Sequence, residues 1–188
     1  MKFKQQLLQM FELSDEQADL IISRFVPEEL SKNELFLEAG KACKKLSFIE
    51  EGICRVFKWT DSKEVTQWIG GEGYFITDLA SFFFDNPSNW SIEALTPTKL
   101  WTLHKSDYLD IQQSIPNWNV IEKRFIAKCF MQIEHRVFDF IALSAEERYL
   151  KYFEQNKQLF NQVPLQYIAS VLGMSPETLS RIRNKLFS

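Results

Sequence analysis

The clearest pattern of apolar and polar positions lies in residues 164–188, near the end of the chain. Ile168, Val171 and Leu172 recur at the i, i+3, i+4 spacing that buries one stripe of a short helix. Gly173 follows directly, and glycine adopts the positive φ of a helix C-terminus without steric cost. The pattern therefore predicts a short helix that ends in a tight turn.

A second helix is predicted immediately after this turn. Ser175 is a typical N-cap residue, and Pro176 suits the first helical position. The inward stripe of this helix comprises Thr178, Leu179, Ile182 and Leu186. With that stripe buried, four polar residues share the outer face: Glu177, Ser180, Arg181 and Asn184.

The outer face of the second helix suits contact with DNA bases. Arg181 can donate two hydrogen bonds to guanine, Glu177 can accept one from cytosine, and the short Ser180 can approach a base edge. Two helices joined by a glycine turn also match the outline of a helix-turn-helix. We predict that six residues form the DNA-binding surface: Glu177, Ser180, Arg181, Ser175, Thr178 and Asn184. The alternative is an ordinary helical hairpin with a solvated polar face.

A long helix is predicted from Asn117 to about Leu143, since this stretch follows Pro116 and contains neither glycine nor proline. Its apolar residues are spaced by four, three, four and three positions, as in the seam of a coiled coil. We predict that this seam is a dimer interface formed by Ile126, Phe130, Ile133, Val137 and Phe140. The alternative is that the seam packs on the rest of the chain. A second apolar face is available for that packing and comprises Ile121, Phe125 and Cys129, with Phe138 and Ile141 as further candidates.

The region from Leu35 to about Leu103 has short runs rich in aromatic and β-branched residues, separated by Gly, Pro, Asp and Ser. These runs predict strands at residues 46–49, 53–59, 64–69, 90–95 and 99–103. Two helices are predicted before them, over Phe3 to Phe11 and from the N-cap Ser14 to Phe25. The fold class is therefore α+β, with an antiparallel β jelly roll or barrel, a long helix and a C-terminal helix-turn-helix.

Composition and charge narrow the class of protein. Of 188 residues, 45% are hydrophobic, which is enough for two packed domains and argues against disorder. The formal net charge is −3, so a DNA-binding surface must be local; after residue 163, Arg181, Arg183 and Lys185 outnumber Glu177. No stretch is long and apolar enough to span a bilayer, and no signal-peptide core follows Met1. A cytoplasmic protein without membrane contact is expected.

Cysteine and histidine show no pattern of a metal, cofactor or catalytic site. Cys43, Cys54 and Cys129 are odd in number and widely spaced, as expected of reduced thiols. An iron–sulfur cluster would need about four cysteine ligands. His104 and His135 are isolated in sequence and are interpreted as ordinary surface or core residues. We therefore expect no catalytic residues, no metal and no cofactor, and the chain is not predicted to be an enzyme.

The C-terminal segment resembles the DNA-binding end of the Crp/Fnr family of bacterial transcription regulators, because Glu177, Ser180 and Arg181 match its E-x-x-S-R pattern. The elements predicted before it resemble the cyclic-nucleotide-binding roll of that family. The resemblance implies a homodimer that binds double-stranded DNA at a palindrome with TGA-like half-sites. It also implies an effector or sensor domain at 1–115, a dimerisation helix at 116–143 and a helix-turn-helix domain at 144–188. Family members usually continue into a two-stranded wing, and this chain is expected to be a wingless variant.

The resemblance also implies a degenerate effector pocket at Asp78, Leu79, Ser88 and Trp90. In the family, a Glu holds the ribose of the cyclic nucleotide and an Arg holds its phosphate; Asp78 falls at the first position and Ser88 at the second. A Ser hydroxyl cannot supply the bidentate, charge-assisted bond of Arg. The effector is therefore expected to be an unknown small molecule other than cyclic AMP. The three phenylalanines at 82–84, with Trp90, could line an apolar pocket or simply pack in the core.

A hinge is predicted at Leu143 and Ser144, because Ser144 and Glu147 form a capping box that starts a new helix. In family terms, an effector would shift the dimer helices there and rotate the recognition helices. The predicted function is a sequence-specific DNA-binding transcription regulator. Activation would need RNA polymerase as a further partner, and no motif marks the surface it would touch. The alternative is a small-molecule-binding, cupin-like module whose helical tail makes protein contacts.

Overall fold

The N-terminal part of the molecule is a jelly roll of two four-stranded antiparallel sheets. This computed structural model describes residues 2–187. The strands are β1 Val26–Leu30, β2 Leu35–Leu37, β3 Lys45–Glu51, β4 Cys54–Trp59, β5 Glu64–Gly70, β6 Phe75–Ile76, β7 Ser91–Ala94 and β8 Thr98–His104. One sheet has the order β1-β8-β3-β6 and the other β2-β7-β4-β5. The predicted antiparallel roll and the α+β class are confirmed.

Helices precede and follow the strands of the roll in the sequence, and α3 lies between β6 and β7. They are α1 Lys2–Phe11, α2 Asp15–Ile22, α3 Leu79–Phe84, α4 Lys105–Ser114, α5 Trp118–Ala142, α6 Ala145–Gln155, α7 Leu159–Gln162, α8 Leu165–Val171 and α9 Pro176–Phe187. The predicted N-cap at Ser14 is present, since its side chain accepts a hydrogen bond from the backbone N–H of Gln17. Ser144 and Glu147 form the predicted capping box at the start of α6. No helix within residues 2–187 is both long and apolar enough to cross a membrane.

Three hydrophobic cores hold these elements together. The first lies between the two sheets and includes Phe36, Ile49, Cys54, Ile92 and Leu100. The second joins α1, α2, α3, α4 and the start of α5 to the outside of the roll through contacts between aromatic rings, most of them edge to face. Phe3 is central to it, with its ring centroid 4.5 Å from that of Phe48 and 5.0 Å from that of Phe25. The many phenylalanines of the sequence therefore fasten helices to the sheet.

The third core belongs to the C-terminal helices but extends into the roll. It includes Tyr149 of α6, Ile168 of α8 and Leu179 of α9, which are fully buried. Ile69 of β5 and Ile53, just before β4, are part of the same core. The C-terminal helices consequently pack directly on the second sheet rather than hanging from the long helix alone.

Several strands and helices were not predicted from the sequence patterns. Strand β1 contains Pro27, Glu28 and Glu29, a composition unlike that of a strand, and it is the edge strand that pairs only with β8. Helix α3 contains the three phenylalanines, and it starts where Asp78 accepts hydrogen bonds from the N–H groups of the first turn. Helix α4 buries only two side chains, too few to show a periodic pattern.

Helix α5 confirms the start of the apolar face predicted to pack on the roll and corrects the later part of that face. Ile121 is buried and Phe125 packs into the aromatic core, as expected for the face against the roll. Phe138 and Ile141 were further candidates for the same face, but they do not pack on the roll, since they are 65% and 80% exposed. Both lie beyond the part of α5 that the aromatic core covers.

Candidate nucleic-acid interface

The turn between α8 and α9 has the geometry that the sequence predicts. Gly173 has φ +65°, and the N–H of Met174 donates to the carbonyl of Ala169 over 3.0 Å, which closes the end of α8. The hydroxyl of Ser175 then accepts a hydrogen bond from the N–H of Thr178 at 3.2 Å. Ser175 therefore caps α9 as predicted, and α8 and α9 are joined by a short, well-defined turn.

Helix α9 separates an inner face from an outer face. Leu179 and Ile182 are buried in the C-terminal core, and Leu186 packs against it. The outer face is exposed and carries Glu177, Ser180, Arg181 and Asn184. A hydrogen bond to Ser175 lowers the pKa of Glu177, which keeps this exposed side chain a carboxylate and hence an acceptor. The structure thus presents the predicted base-contacting side chains together on one face.

Thr178 differs from the other residues predicted to bind DNA. Its side chain is half-buried, and its hydroxyl lies 3.2 Å from that of Ser175. This position places Thr178 at the base of the exposed face, where it supports the N-terminal turn of α9.

Gly173 is also the point where the helix-turn-helix meets α5. A Cβ atom added to Gly173 would lie 2.5 Å from Cε1 of Phe140, much closer than van der Waals contact. Phe140 is one of the five predicted seam residues and is 39% exposed. The long helix therefore contacts the turn that positions α9.

We expect Gly173→Ala to destabilise the protein by about 2 kcal/mol, because alanine pays for the left-handed backbone and its methyl group displaces Phe140. Gly40→Ala is the matched control, since Gly40 has φ +87° but no atom within 4 Å of an added Cβ. Urea denaturation of both variants would separate backbone strain from the contact with α5. Equal losses at the two positions would contradict the close packing of Phe140 on the turn.

The predicted dimer seam lies open along α5. Its five side chains, Ile126, Phe130, Ile133, Val137 and Phe140, are between 39% and 65% exposed. None belongs to a hydrophobic core of the described residues. The aromatic core covers the neighbouring face near the start of the helix, so Ile126, Phe130, Ile133 and Val137 are available to a second chain, whereas Phe140 also contacts the Gly173 turn.

Three of the four residues of the predicted effector pocket are joined by hydrogen bonds. Ser88 is buried, and its hydroxyl lies 2.6 Å from Oδ2 of Asp78 and 2.9 Å from the carbonyl oxygen of Trp90. The other carboxylate oxygen of Asp78 accepts from the N–H groups of Ala80 and Ser81. A phosphate at this point would meet a carboxylate instead of a guanidinium, so these residues do not fit a cyclic nucleotide.

The fourth residue, Leu79, belongs to a different environment. It lines a largely apolar cavity of about 40 Å³ with Phe82, Phe83, Tyr108 and Trp118, whereas Phe84 is 73% exposed. Small-molecule sites are usually about 300 Å³ or larger, so this space is too small for a ligand. The phenylalanine run packs largely in the core, and Trp90 lies apart from it.

Sequence reasoning missed the contact between α8 and the roll. The hydroxyl of Ser170 accepts a hydrogen bond from the N–H of Thr66 in β5 at 2.8 Å. Tyr167, one turn earlier, stacks on the guanidinium of Arg55, whose central carbon lies 3.8 Å from the ring centroid. No local sequence pattern predicts such a contact, because the partners are about a hundred positions apart in the chain.

Comparison with known proteins supports the architecture. Residues 27–114 match the family model of the cyclic nucleotide-binding domain. The structure is similar to the catabolite activator protein of Thermus thermophilus, with a TM-score of 0.61 and 21% identity over 96% of this chain and 86% of that one. It is also similar to the c-di-GMP-responsive global regulator CLP of Xanthomonas campestris, with a TM-score of 0.71 and 14% identity over 92% and 91% of the two chains.

A mutant of CooA from Carboxydothermus hydrogenoformans is similar over 95% of this chain and 81% of its own, with a TM-score of 0.65 and 16% identity. No curated protein sequence matches the chain. At these identities the shared feature is the fold, which in all three proteins extends over the roll, the long helix and the C-terminal helices.

Proposed function

We propose that this chain, which resembles Crp/Fnr-type regulators in its fold and in the family of its roll, is a sequence-specific DNA-binding transcription regulator that acts in the cytoplasm as a homodimer. The observation that carries the proposal is the exposed row of Glu177, Ser180, Arg181 and Asn184 on α9. These side chains supply donors and acceptors that distinguish base pairs in the major groove. The buried inner face holds the helix rigidly behind them, as a recognition helix requires.

The charge of the molecule fits a local DNA contact. The net charge is −3, so that the roll contributes no general attraction for DNA. Arg181 and Arg183 lie on α9, while Lys185 is paired with Glu146 of α6 at 2.7 Å. Arg181 and Arg183 are thus the main cations that α9 offers to phosphates, and we expect a modest dependence of affinity on salt.

The open seam on α5 supports the dimer. A strip of a/d-spaced apolar residues is self-complementary, and a two-fold axis along it makes the same patch serve both chains. The two recognition helices would then contact successive major grooves, about 34 Å apart, on a palindromic site. If a second copy covers this strip in the dimer, the strip is expected to be exposed when one chain is considered alone.

The effector of this regulator is not cyclic AMP in our proposal. The hydrogen bond between Ser88 and Asp78 occupies the position where the resemblance places the contacts to phosphate and ribose. The roll therefore acts as a scaffold in that region, and control by a small molecule has to come from another site.

Selection of bound sequences from random duplex DNA, without added nucleotide, tests the function. We expect a palindrome with TGA-like half-sites and about 10- to 100-fold weaker binding to it by Arg181→Ala, because a bidentate contact with guanine is lost. Arg24→Ala is the matched control, since Arg24 is paired with Asp110 in the roll domain and should bind normally. A bound sequence that is unaffected by Arg181→Ala would reject the proposed role of α9.

A further inference from the structure

A cleft of about 330 Å³ lies where four elements meet: β5, α5, α6 and α8. Its volume falls within the usual range of small-molecule sites. It is distinct from the region of Asp78 and Ser88, neither of which lines it. Two arginines, Arg136 of α5 and Arg148 of α6, are among its lining residues.

Both arginines carry charges that no carboxylate balances among residues 2–187. Arg136 donates to the carbonyl of Val171 at 3.1 Å, and Arg148 donates to the carbonyls of Leu172 and Leu143 at 3.2 Å and 2.8 Å. Asp139 lines the same cleft but is paired with Lys151 at 2.7 Å. Burial lowers the pKa of Arg136, because the surroundings disfavour its charge. An anion in the cleft would relieve that penalty.

The walls of the cleft add aromatic surface and one free donor. Trp68 lies beside Arg136, whose guanidinium carbon is 5.9 Å from its ring, and Phe140 lies under both arginines. The hydroxyl of Tyr152 is buried and has no hydrogen-bond partner in the described part of the chain. Burial raises the pKa of Tyr152 to about 12, so the hydroxyl keeps its proton and can donate it in a hydrogen bond. An ordered water or a bound ligand can satisfy such a buried hydroxyl, and in this cleft it lies beside two arginines without carboxylate partners among the described residues.

We propose that this cleft binds a small aromatic anion, a flat ring that carries a carboxylate or phosphate group. Arg136 and the hydroxyl of Tyr152 would bind the anionic group, and Trp68 would contact the ring. The role of this ligand as an effector rests on the function proposed above, whereas its binding to the cleft does not.

The position of the cleft explains how such a ligand would act on DNA binding. The carbonyls that Arg136 and Arg148 hold are those of Val171 and Leu172, at the end of α8 and next to the Gly173 turn. An anion competes with these carbonyls for the guanidiniums, since a charged acceptor forms the stronger bond. Binding would therefore loosen the attachment of the turn to α5 and α6 and shift the orientation of α9.

Isothermal titration of the full chain, without DNA, tests the ligand class. The probes are salicylate and adenosine 5′-monophosphate, with the neutral salicylamide and adenosine and with inorganic phosphate as comparisons. We expect at least one aromatic anion to bind with a Kd below about 1 mM, and its neutral counterpart and phosphate to bind at least about tenfold more weakly. Failure of both aromatic anions, or equal binding of the neutral molecules, would overturn the proposal.

Two substitutions assign the contacts. Arg136→Met should weaken binding of the anion at least about tenfold, whereas Arg124→Met, on the same helix but outside the cleft, should leave it unchanged. Tyr152→Phe should weaken binding several-fold without lowering Tm, because the hydroxyl loses no partner within the protein. This second variant decides the matter if Arg136→Met folds poorly. Unchanged binding by Tyr152→Phe together with unchanged or undetermined binding by Arg136→Met would refute the site.

The DNA experiment is independent of this one. If the anion binds but no sequence is selected from random DNA, the cleft stands and the proposed regulator fails. If a palindrome is selected but no anion binds, the regulator stands and the cleft fails.

Discussion

Ile133→Glu should convert the proposed dimer into monomers and reduce the proposed specific DNA binding by about 10³-fold or more, since one half-site alone supplies little beyond non-specific affinity. Ile133 is 57% exposed in the single chain and lies at the centre of the α5 seam. In a coiled-coil interface its Glu replacement would face its own symmetry mate, so that two like charges would be buried together. Sedimentation equilibrium and fluorescence anisotropy with the selected palindrome would measure the two effects.

Val120→Glu is the control for this change. Val120 is also an exposed, β-branched residue of α5, at 44%, but it lies outside the seam. We expect this variant to remain a dimer and to bind DNA normally. Persistence of the dimer in Ile133→Glu would show that the seam is not the interface.

Local chemistry allowed the two C-terminal helices α8 and α9 and the turn between them to be predicted accurately. Gly173, Ser175 and the capping box at Ser144 each act within a few residues, so the sequence around them contains the full physical reason for the turn or cap. The same holds for five of the eight strands that the structure describes in the roll, β3, β4, β5, β7 and β8, whose β-branched and aromatic runs are separated by turn residues. The side chains exposed on α9 followed directly from the spacing of its buried ones.

The parts that could not be predicted depend on partners distant in sequence. Strand β1 has a polar sequence, yet it pairs with β8 over five residues, and Glu28 accepts hydrogen bonds from Thr102 of β8 and from Lys45 of β3, the next strand of the sheet. The split between the two faces of α5 was wrong at Phe138 and Ile141, because periodicity does not tell where a packing partner ends. The cleft beside Arg136 likewise exists only after four elements have come together.

Arg55 shows how strongly such distant contacts can join the two parts of the molecule. It is only 3% exposed, and its guanidinium bonds to both carboxylate oxygens of Glu64 and, at 2.6 Å, to Glu93. Desolvation acts to lower the pKa of Arg55, but the hydrogen bonds with Glu64 and Glu93 outweigh it and raise the pKa. The guanidinium also packs against two aromatic rings, that of Phe57 and that of Tyr167 from α8. One side chain of the roll thus satisfies two carboxylates and anchors the helix-turn-helix.

Arg55→Met is therefore expected to lower the free energy of unfolding by about 3 kcal/mol, because Glu64 and Glu93 would remain largely buried without a cation. For a chain of this size, the loss corresponds to a fall in Tm of about 10 °C. Urea denaturation provides the measurement. Arg124→Met is the matched control, since Arg124 forms an exposed pair with Glu12 and should cost at most about 1 kcal/mol.

A triple variant can separate two causes of this instability: the uncompensated carboxylates and the lost packing of the arginine side chain. In Arg55→Met combined with Glu64→Gln and Glu93→Gln, no uncompensated charge remains, so most of the stability should return. The stack on Tyr167 would still be missing, and α8 should exchange its amide hydrogens faster than in the original protein. If the triple variant were as unstable as Arg55→Met, charge compensation could not be the main role of Arg55, and packing against Phe57 and Tyr167 would have to account for the loss.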